Sequence, residues 1–239
     1  MGWFSRSKST KTSGSVVSAV RRDLVVPMMS GQAWMDANEE LFAQIPDFPA
    51  GEYPAATAVT DGLYVTYAVD PGPSWEVVSK DSVRAFGGID LLKSVALANL
   101  RNRGDIHIQG AAGRFVLTVP DELDLSASLL LDPDRWRSAL GISGDIIVGV
   151  PTRTVVWACS ADDHESVGDL ARITQHGFAA GEGKPVAPTL FRLTGTALSP
   201  HSQVVEPAEG RINSGRIPGS RPVMLQLSFR CASRGNAKA

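Results

Sequence analysis

The chain has 239 residues, 43% of them hydrophobic, and its net charge of −2 is unevenly distributed. Residues 1–22 carry five basic residues and no acid, and residues 207–239 carry six basic residues and one acid, so residues 23–206 hold 12 basic and 24 acidic residues. The composition excludes a low-complexity chain, and the acidic central stretch disfavours nucleic acid as its ligand, because phosphate binding relies on cationic side chains.

The first 22 residues are predicted to be a basic, disordered tail, since small polar and basic residues bury too little apolar surface to fold. Its candidate contact residues are two aromatic and three basic side chains: Trp3, Phe4, Arg6, Lys8 and Lys11. Aromatic residues followed by basic ones suit an anionic membrane surface, although the segment is short for an interfacial helix. Contact with a protein partner and an idle tail are the alternatives.

Hydrophobic periodicity predicts strands and helices through the central part of the chain. In chain order they are a strand at 24–29, a helix at 33–45, a strand at 63–69 with a partner at 75–78, helices at 79–86 and 89–103, a hairpin of 106–108 and 115–119, a helix at 121–131, strands at 145–150 and 155–159, a helix at 167–178 and a strand at 190–193.

These elements predict a single α+β domain over residues 23–198, with a mixed, mostly antiparallel sheet covered by three or four helices. Consecutive strands such as 145–150 and 155–159 are joined by connections too short for a parallel crossover. After the domain, closely spaced proline and glycine indicate a linker or long loop. The remaining chain divides into the linker at 199–222, a terminal strand at 223–231 and a disordered end at 232–239.

Five segments carry a family resemblance through their order along the chain. They are the strand Leu24–Ser30, the strand end Tyr67–Asp70, the helix end Ala98–Leu100, and the segments Ser126–Leu130 and Gly144–Pro151. In this order they resemble the uncharacterised YtpQ-like family of bacterial proteins. That family has no established activity, so the resemblance implies a domain and a fold and no reaction. The family often carries an acid at the position of Thr154, so a role for that carboxylate is not expected here.

Several kinds of site lack their sequence signals. No stretch of about 20 apolar residues could cross a bilayer, and no apolar core of a signal peptide follows the basic start, so we predict a cytoplasmic protein. Cys159 and Cys231 are isolated, which leaves no disulfide framework and no zinc half-site. The four histidines form no paired ligand motif, and we expect neither a metal nor another cofactor.

Nucleophilic chemistry has one weak candidate. Cys159 is followed by Asp162, Asp163 and His164, which are residue types found around an activated thiol. Because nearby carboxylates raise the pKa of a thiol, we predict instead that Cys159 is a buried core residue. The acidic clusters of the chain stand at predicted helix starts, and we predict that they cap those helices.

Two polar residues are the candidates for ligand binding. Arg153 lies in the short connection between two buried strands, where it could clamp a carboxylate or phosphate group of a ligand or pair with an acid of the protein. Asn99 lies on the apolar stripe of a predicted helix, where a half-buried amide usually bonds to main chain.

Three functions are compatible with these features. The first is a non-catalytic binding or adaptor domain with a protein partner, which fits the uneven charge. The second is a hydrolase-type enzyme whose site is assembled from separate loops near Arg153. The third is a peripheral membrane factor attached through Trp3 and Phe4 and the basic residues that follow them.

Overall fold

The structure of the protein is a computed structural model that describes residues 21–70, 75–111, 113–181, 184–201 and 227–229. The tail with its five contact candidates, the linker from residue 202 onward and the predicted disordered end lie outside the described residues.

The described residues contain three α-helices and eleven strands, together with short 3₁₀ helices. The helices are α1 (Gln32–Ala43), α2 (Ile89–Asn102) and α3 (His164–Ala180). The strands are β1 (Val25–Gly31), β2 (Ala56–Thr60), β3 (Leu63–Val69), β4 (Glu76–Val77), β5 (Ile106–Ala111), β6 (Arg114–Thr118), β7 (Ile146–Gly149), β8 (Val156–Ser160), β9 (Leu190–Thr194), β10 (Ala197–Pro200) and β11 (Leu227–Phe229).

The predicted α+β class is confirmed, and the strands divide between two antiparallel sheets. The first sheet has the order β1-β3-β2, with β4 also pairing with β3. The second has the order β10-β9-β7-β8-β6-β5-β11. The predicted strand pairs are antiparallel, as their short connections require. They are β3 with β4, β5 with β6 and β7 with β8.

One large cluster of buried side chains draws on both sheets, and it includes Met29 and Tyr67 from the first and Leu117 and Phe191 from the second. Helix α2 packs on β1. Helix α3 covers the outer face of the second sheet over Ile147 and Cys159. Strand β1 is therefore buried along its whole length, and the segments at its two ends carry the sites described below.

Two predicted helices are 3₁₀ helices in the structure, over Ser82–Phe86 and Pro120–Leu131. The second is interrupted at Glu122, whose backbone is not helical (φ −140°, ψ 56°). Strands β2 and β10 were not predicted. Strand β10 continues to Pro200, and β11 falls within the predicted terminal strand. Within the described part of the chain, no helix is long and apolar enough to cross a membrane.

Candidate functional site

Arg153 is a buried cation that donates hydrogen bonds within the protein. It lies in the connection between β7 and β8 and is only 5% exposed. Its Nε donates to the main-chain oxygen of Met29 at 3.1 Å, and its Nη2 donates to Oγ of Ser30 at 3.0 Å. Burial lowers the pKa of the guanidinium, an effect partly opposed by the charge of Asp124. No ion pair joins Arg153 to a carboxylate of the described residues.

The contacts of Arg153 place it at the junction of β1 and α1. Its guanidinium lies over the ring of Trp34 in the first turn of α1, with Cζ 5.7 Å from the ring centroid. Its main-chain nitrogen donates to the oxygen of Lys184 at 3.1 Å. Among the described residues, Arg153 thus makes bonds to main chain and a hydroxyl and an aromatic contact, and not the ion pair that was one of its two predicted alternatives. The guanidinium of Arg153 thus covers one face of the Trp34 ring.

Asn99 lies at the other end of β1 and holds the start of that strand. Its Nδ2 donates to the main-chain oxygens of Arg22 at 2.6 Å and Val25 at 2.7 Å. The contacts of Asn99 and Arg153 are separated by four or five residues of an extended strand, which is about 15 Å. The structure therefore does not bring the two ligand candidates together in one site.

Cys159 is a core residue, as predicted. It is fully buried beneath α3, and burial, with a smaller contribution from the charge of Asp163, raises the pKa of its thiol to about 12. Asp163 instead caps α3, because its Oδ1 accepts a hydrogen bond from the main-chain nitrogen of Ser166 at 3.0 Å. A thiol in this environment is not a nucleophile at neutral pH.

The prediction that the other acidic clusters cap helices is wrong. The 3₁₀ helices that follow Val119 and Asp132 have no side-chain cap. Asp132 instead accepts two hydrogen bonds of 2.8 Å from Arg101, and Asp124 pairs with Lys184 at 2.6 Å. These carboxylates stabilise contacts between segments that are distant in the chain, which residue spacing alone does not reveal.

A surface that sequence reasoning missed is formed by α1 and the loop after it, residues 32–53, here called the acidic platform. It contains no lysine or arginine and five acids: Asp36, Glu39, Glu40, Asp47 and Glu52. All five are exposed, and none takes part in an ion pair among the described residues. A run of acids without a base was the available sequence signal.

The acidic platform also exposes large apolar side chains. Helix α1 buries none of its residues. Leu41 in its last turn is 55% exposed, and Ile45, just after the helix ends, is 45% exposed. The surface is held in shape by an aromatic cluster instead of a core. Phe42 stacks on Phe48 with ring centroids 4.4 Å apart, and both meet Tyr53 edge to face.

A cleft of about 610 Å³ lies between α1 and the loop that follows it. Its floor is Ala56, Ala58 and Tyr64 of the first sheet, and Trp34 lines one wall. Tyr64 donates from its hydroxyl to Oε1 of Gln32 at 2.6 Å, and Gln32 donates from Nε2 to Oδ1 of Asp36 at 2.7 Å. This chain of bonds orients the Asp36 carboxylate at the rim of the cleft.

Another cavity, of about 720 Å³, lies between α3 and the segment before β8. Its rim carries Arg172, which already pairs with Asp169, and His176. The cation at its rim thus has an acidic partner within the protein, which it shares with Arg114, whereas the acids of the platform form no ion pair among the described residues. No group of three histidine, cysteine or acidic side chains among the described residues could hold a metal ion.

Comparisons with known proteins found no matching family model, no matching curated protein and no matching solved structure. The resemblance to the YtpQ-like family therefore stays a prediction.

Proposed function

We propose that the protein is a non-catalytic binding domain whose acidic platform takes a basic, partly apolar segment of a partner protein. The observation that carries this proposal is the combination, on one helix and its loop, of five exposed carboxylates outside any ion pair of the described residues with exposed Leu41 and Ile45. Elsewhere in the described structure, carboxylates such as Asp132 and Asp169 already have basic partners.

The electrostatic part of this recognition follows from the charge count. Residues 32–53 carry a formal charge of −5, and Lys80, which also lines their cleft, offsets one of these charges. The remaining negative charge attracts cationic segments and speeds their association, and salt screens that attraction over about 10 Å at 0.1 M ionic strength. Charge of this kind supplies association rate and partner choice more than affinity.

The apolar part supplies affinity. Leu41 in the last turn of α1 and Ile45 in the turn that follows the helix are two exposed apolar side chains that a partner can cover. Burying apolar area contributes about 25 cal/mol per Å². The two side chains are only about half buried in the free domain, so a partner gains the contribution of their exposed area on binding.

The hydrolase alternative receives less support from the same geometry. Its site would use Arg153, but the hydrogen bonds to Met29 and Ser30 already engage the guanidinium, and the residue is only 5% exposed. The platform acids, in contrast, are exposed and lie outside the ion pairs of the described residues.

The test is binding of a fluorescein-labelled lysine–leucine peptide, with leucines at helical spacing, to the full chain by fluorescence anisotropy. The variant Glu39→Lys/Glu40→Lys should weaken binding at least about tenfold, which is ~1.4 kcal/mol. A matched control, Asp134→Lys/Asp162→Lys, makes the same change in net charge at exposed acids away from the platform. Equal weakening by the two variants, or unchanged binding in the first, would contradict the proposal.

A second pair of variants separates the apolar contribution. The variant Leu41→Ser/Ile45→Ser should bind the peptide less tightly. The dependence of binding on salt should not decrease, because the carboxylates remain. A scrambled peptide of the same charge but without helical spacing should bind less tightly than the original and lose its sensitivity to these two substitutions.

A further inference from the structure

We infer that the acidic platform has an occupant within the same chain, namely the N-terminal segment of residues 1–20. This inference rests on the proposed function, since it names one segment that has the chemistry the platform requires. The segment carries basic residues and no acid, and its first residues add Trp3 and Phe4. Its bases Arg6, Lys8 and Lys11 complement the platform's acids, and its two aromatic residues complement Leu41 and Ile45.

The length of the chain allows this contact. The first described residue, Arg21, is separated from β1 by the short 3₁₀ helix Arg22–Leu24, which adds about 6 Å, and α1 begins directly after β1 ends. Seven residues of strand span about 23 Å, and the twelve residues of α1 add about 18 Å. The ten residues from Lys11 to Arg21 can extend to about 33 Å, and the seventeen from Phe4 to about 56 Å. The basic residues can therefore reach the start of α1 and the aromatic ones its far end.

Because the segment and the platform belong to one chain, even a weak contact between them is formed in a large fraction of the molecules. A segment tethered to its own binding surface through a short chain experiences an effective concentration in the millimolar range. A partner must then displace the segment before it occupies the platform. The segment thus acts as an internal competitor, and its release by another anionic surface would expose the platform.

The contact is tested in the full chain by paramagnetic relaxation. A nitroxide is attached to the thiol introduced at position 7 of a Ser7→Cys/Cys231→Ser protein; the native Cys159 is fully buried and does not react. The label should broaden the amide signals of α1, and Glu39→Lys/Glu40→Lys should abolish that broadening. Mixing spin-labelled protein with isotope-labelled protein that carries no nitroxide identifies contact between two copies. A label at Ser233→Cys in the other basic end is the control.

Each outcome decides the inference. Broadening confined to α1 and absent from the mixed sample supports it. Broadening that falls elsewhere, is uniform or arises only between copies overturns it. If the label broadens no α1 signal and the segment instead binds phosphatidylglycerol vesicles but not phosphatidylcholine ones, the segment serves a membrane and the inference is wrong.

Peptide binding separates this inference from the proposed function. Reversing Arg6, Lys8 and Lys11 to Glu should raise the affinity of the lysine–leucine peptide about tenfold, because the competitor is removed. Reversing Arg230, Arg234 and Lys238 to Glu makes the same change in net charge and should raise it much less. If both triple variants bind equally, yet Glu39→Lys/Glu40→Lys abolishes binding, the proposed function stands and the internal occupant does not.

Discussion

Arg153 donates a hydrogen bond of 3.0 Å from Nη2 to Oγ of Ser30, and so joins the β7–β8 connection of the second sheet to β1 of the first. Ser30 Oγ lies 3.2 Å from Oγ1 of Thr66, which donates to the main-chain oxygen of Met28. A buried polar network of this kind stabilises the fold when each of its polar groups has a hydrogen-bond partner. It links the two sheets directly beside the wall of the platform cleft.

Replacing Arg153 with Lys should destabilise the protein by about 1–3 kcal/mol, because an ammonium cannot bond Met29 and Ser30 in the fixed geometry of a guanidinium. The contact with Trp34 should also weaken, which shifts tryptophan emission. Urea unfolding measures the first effect. Arg84→Lys, at an exposed position, is the control and should change stability by less than about 0.5 kcal/mol. An Arg153→Lys variant as stable as the parent protein would contradict the structural role assigned to the guanidinium.

Two buried threonines should respond in opposite ways to replacement with valine. Thr66 and Thr174 are both fully buried, but Oγ1 of Thr174 has no hydrogen-bond partner among the described residues, whereas that of Thr66 is bonded. An unsatisfied buried hydroxyl costs about 1–3 kcal/mol. Thr174→Val should therefore raise the free energy of unfolding by about 1 kcal/mol, and Thr66→Val should lower it by a similar amount. Destabilisation by both would show that Thr174 finds a partner, such as an ordered water.

Two glycines provide a further matched pair. A Cβ at Gly31 would lie 1.6 Å from the main-chain oxygen of Val186, whereas one at Gly168, within α3, would have no described atom within 4 Å apart from its chain neighbours and the adjacent backbone of its own helix. Gly31→Ala should shift the backbone where β1 meets α1 and cost more than about 3 kcal/mol. Gly168→Ala should stabilise the helix by about 0.5–1 kcal/mol. Thermal unfolding of both variants checks the prediction, and a mild effect at Gly31 would show that the junction can open.

Much of the fold was predictable because its elements have strong local signals. The runs that became β3, β7 and β8 are rich in β-branched or aromatic residues, and Asp163 marked the start of α3. Short connections indicated antiparallel pairing. Strand β2 was missed, since alanine and threonine in Ala56–Thr60 give no apolar alternation and the strand is only half-buried.

The candidate site was less predictable, because partners distant in the chain decide it. The burial of Arg153 against Met29 and Ser30 depends on how the two sheets meet. The exposure of Leu41 and Ile45 likewise runs against the expectation that apolar residues at helical spacing face a core. Only the five acids without a base were visible in the sequence itself.

Cys159 should react with iodoacetamide only when the protein opens. With a pKa raised to about 12 by burial, its thiolate fraction at pH 8 is on the order of 10³ lower than that of a free thiol. Peptide mass spectrometry should find the Cys159 peptide unmodified in the native protein and fully modified in urea. Rapid native modification would restore the activated-thiol hypothesis, and His164→Ala would then be tested for slowing it.

The pair Asp145 and Arg192 should make stability depend on acid pH. The hydrogen bond from Arg192 Nη1 to Asp145 Oδ2 at 3.0 Å is the main cause that lowers the carboxyl pKa in the folded state, followed by a bond from Thr194. A pKa lowered by folding contributes stability that is present above the unfolded value, near 4, and is lost as the pH falls through the folded value. Asp145→Asn should therefore flatten the loss of stability between about pH 5 and pH 3.

The partner substitution supplies the control for this prediction. Arg192→Gln should flatten the same part of the profile, and the double variant should add little to either single one, because both remove one interaction. Urea unfolding at a series of pH values measures all four proteins. Additive effects of the two substitutions would show that Asp145 owes its lowered pKa to other groups, such as Arg137, whose charge also acts on it.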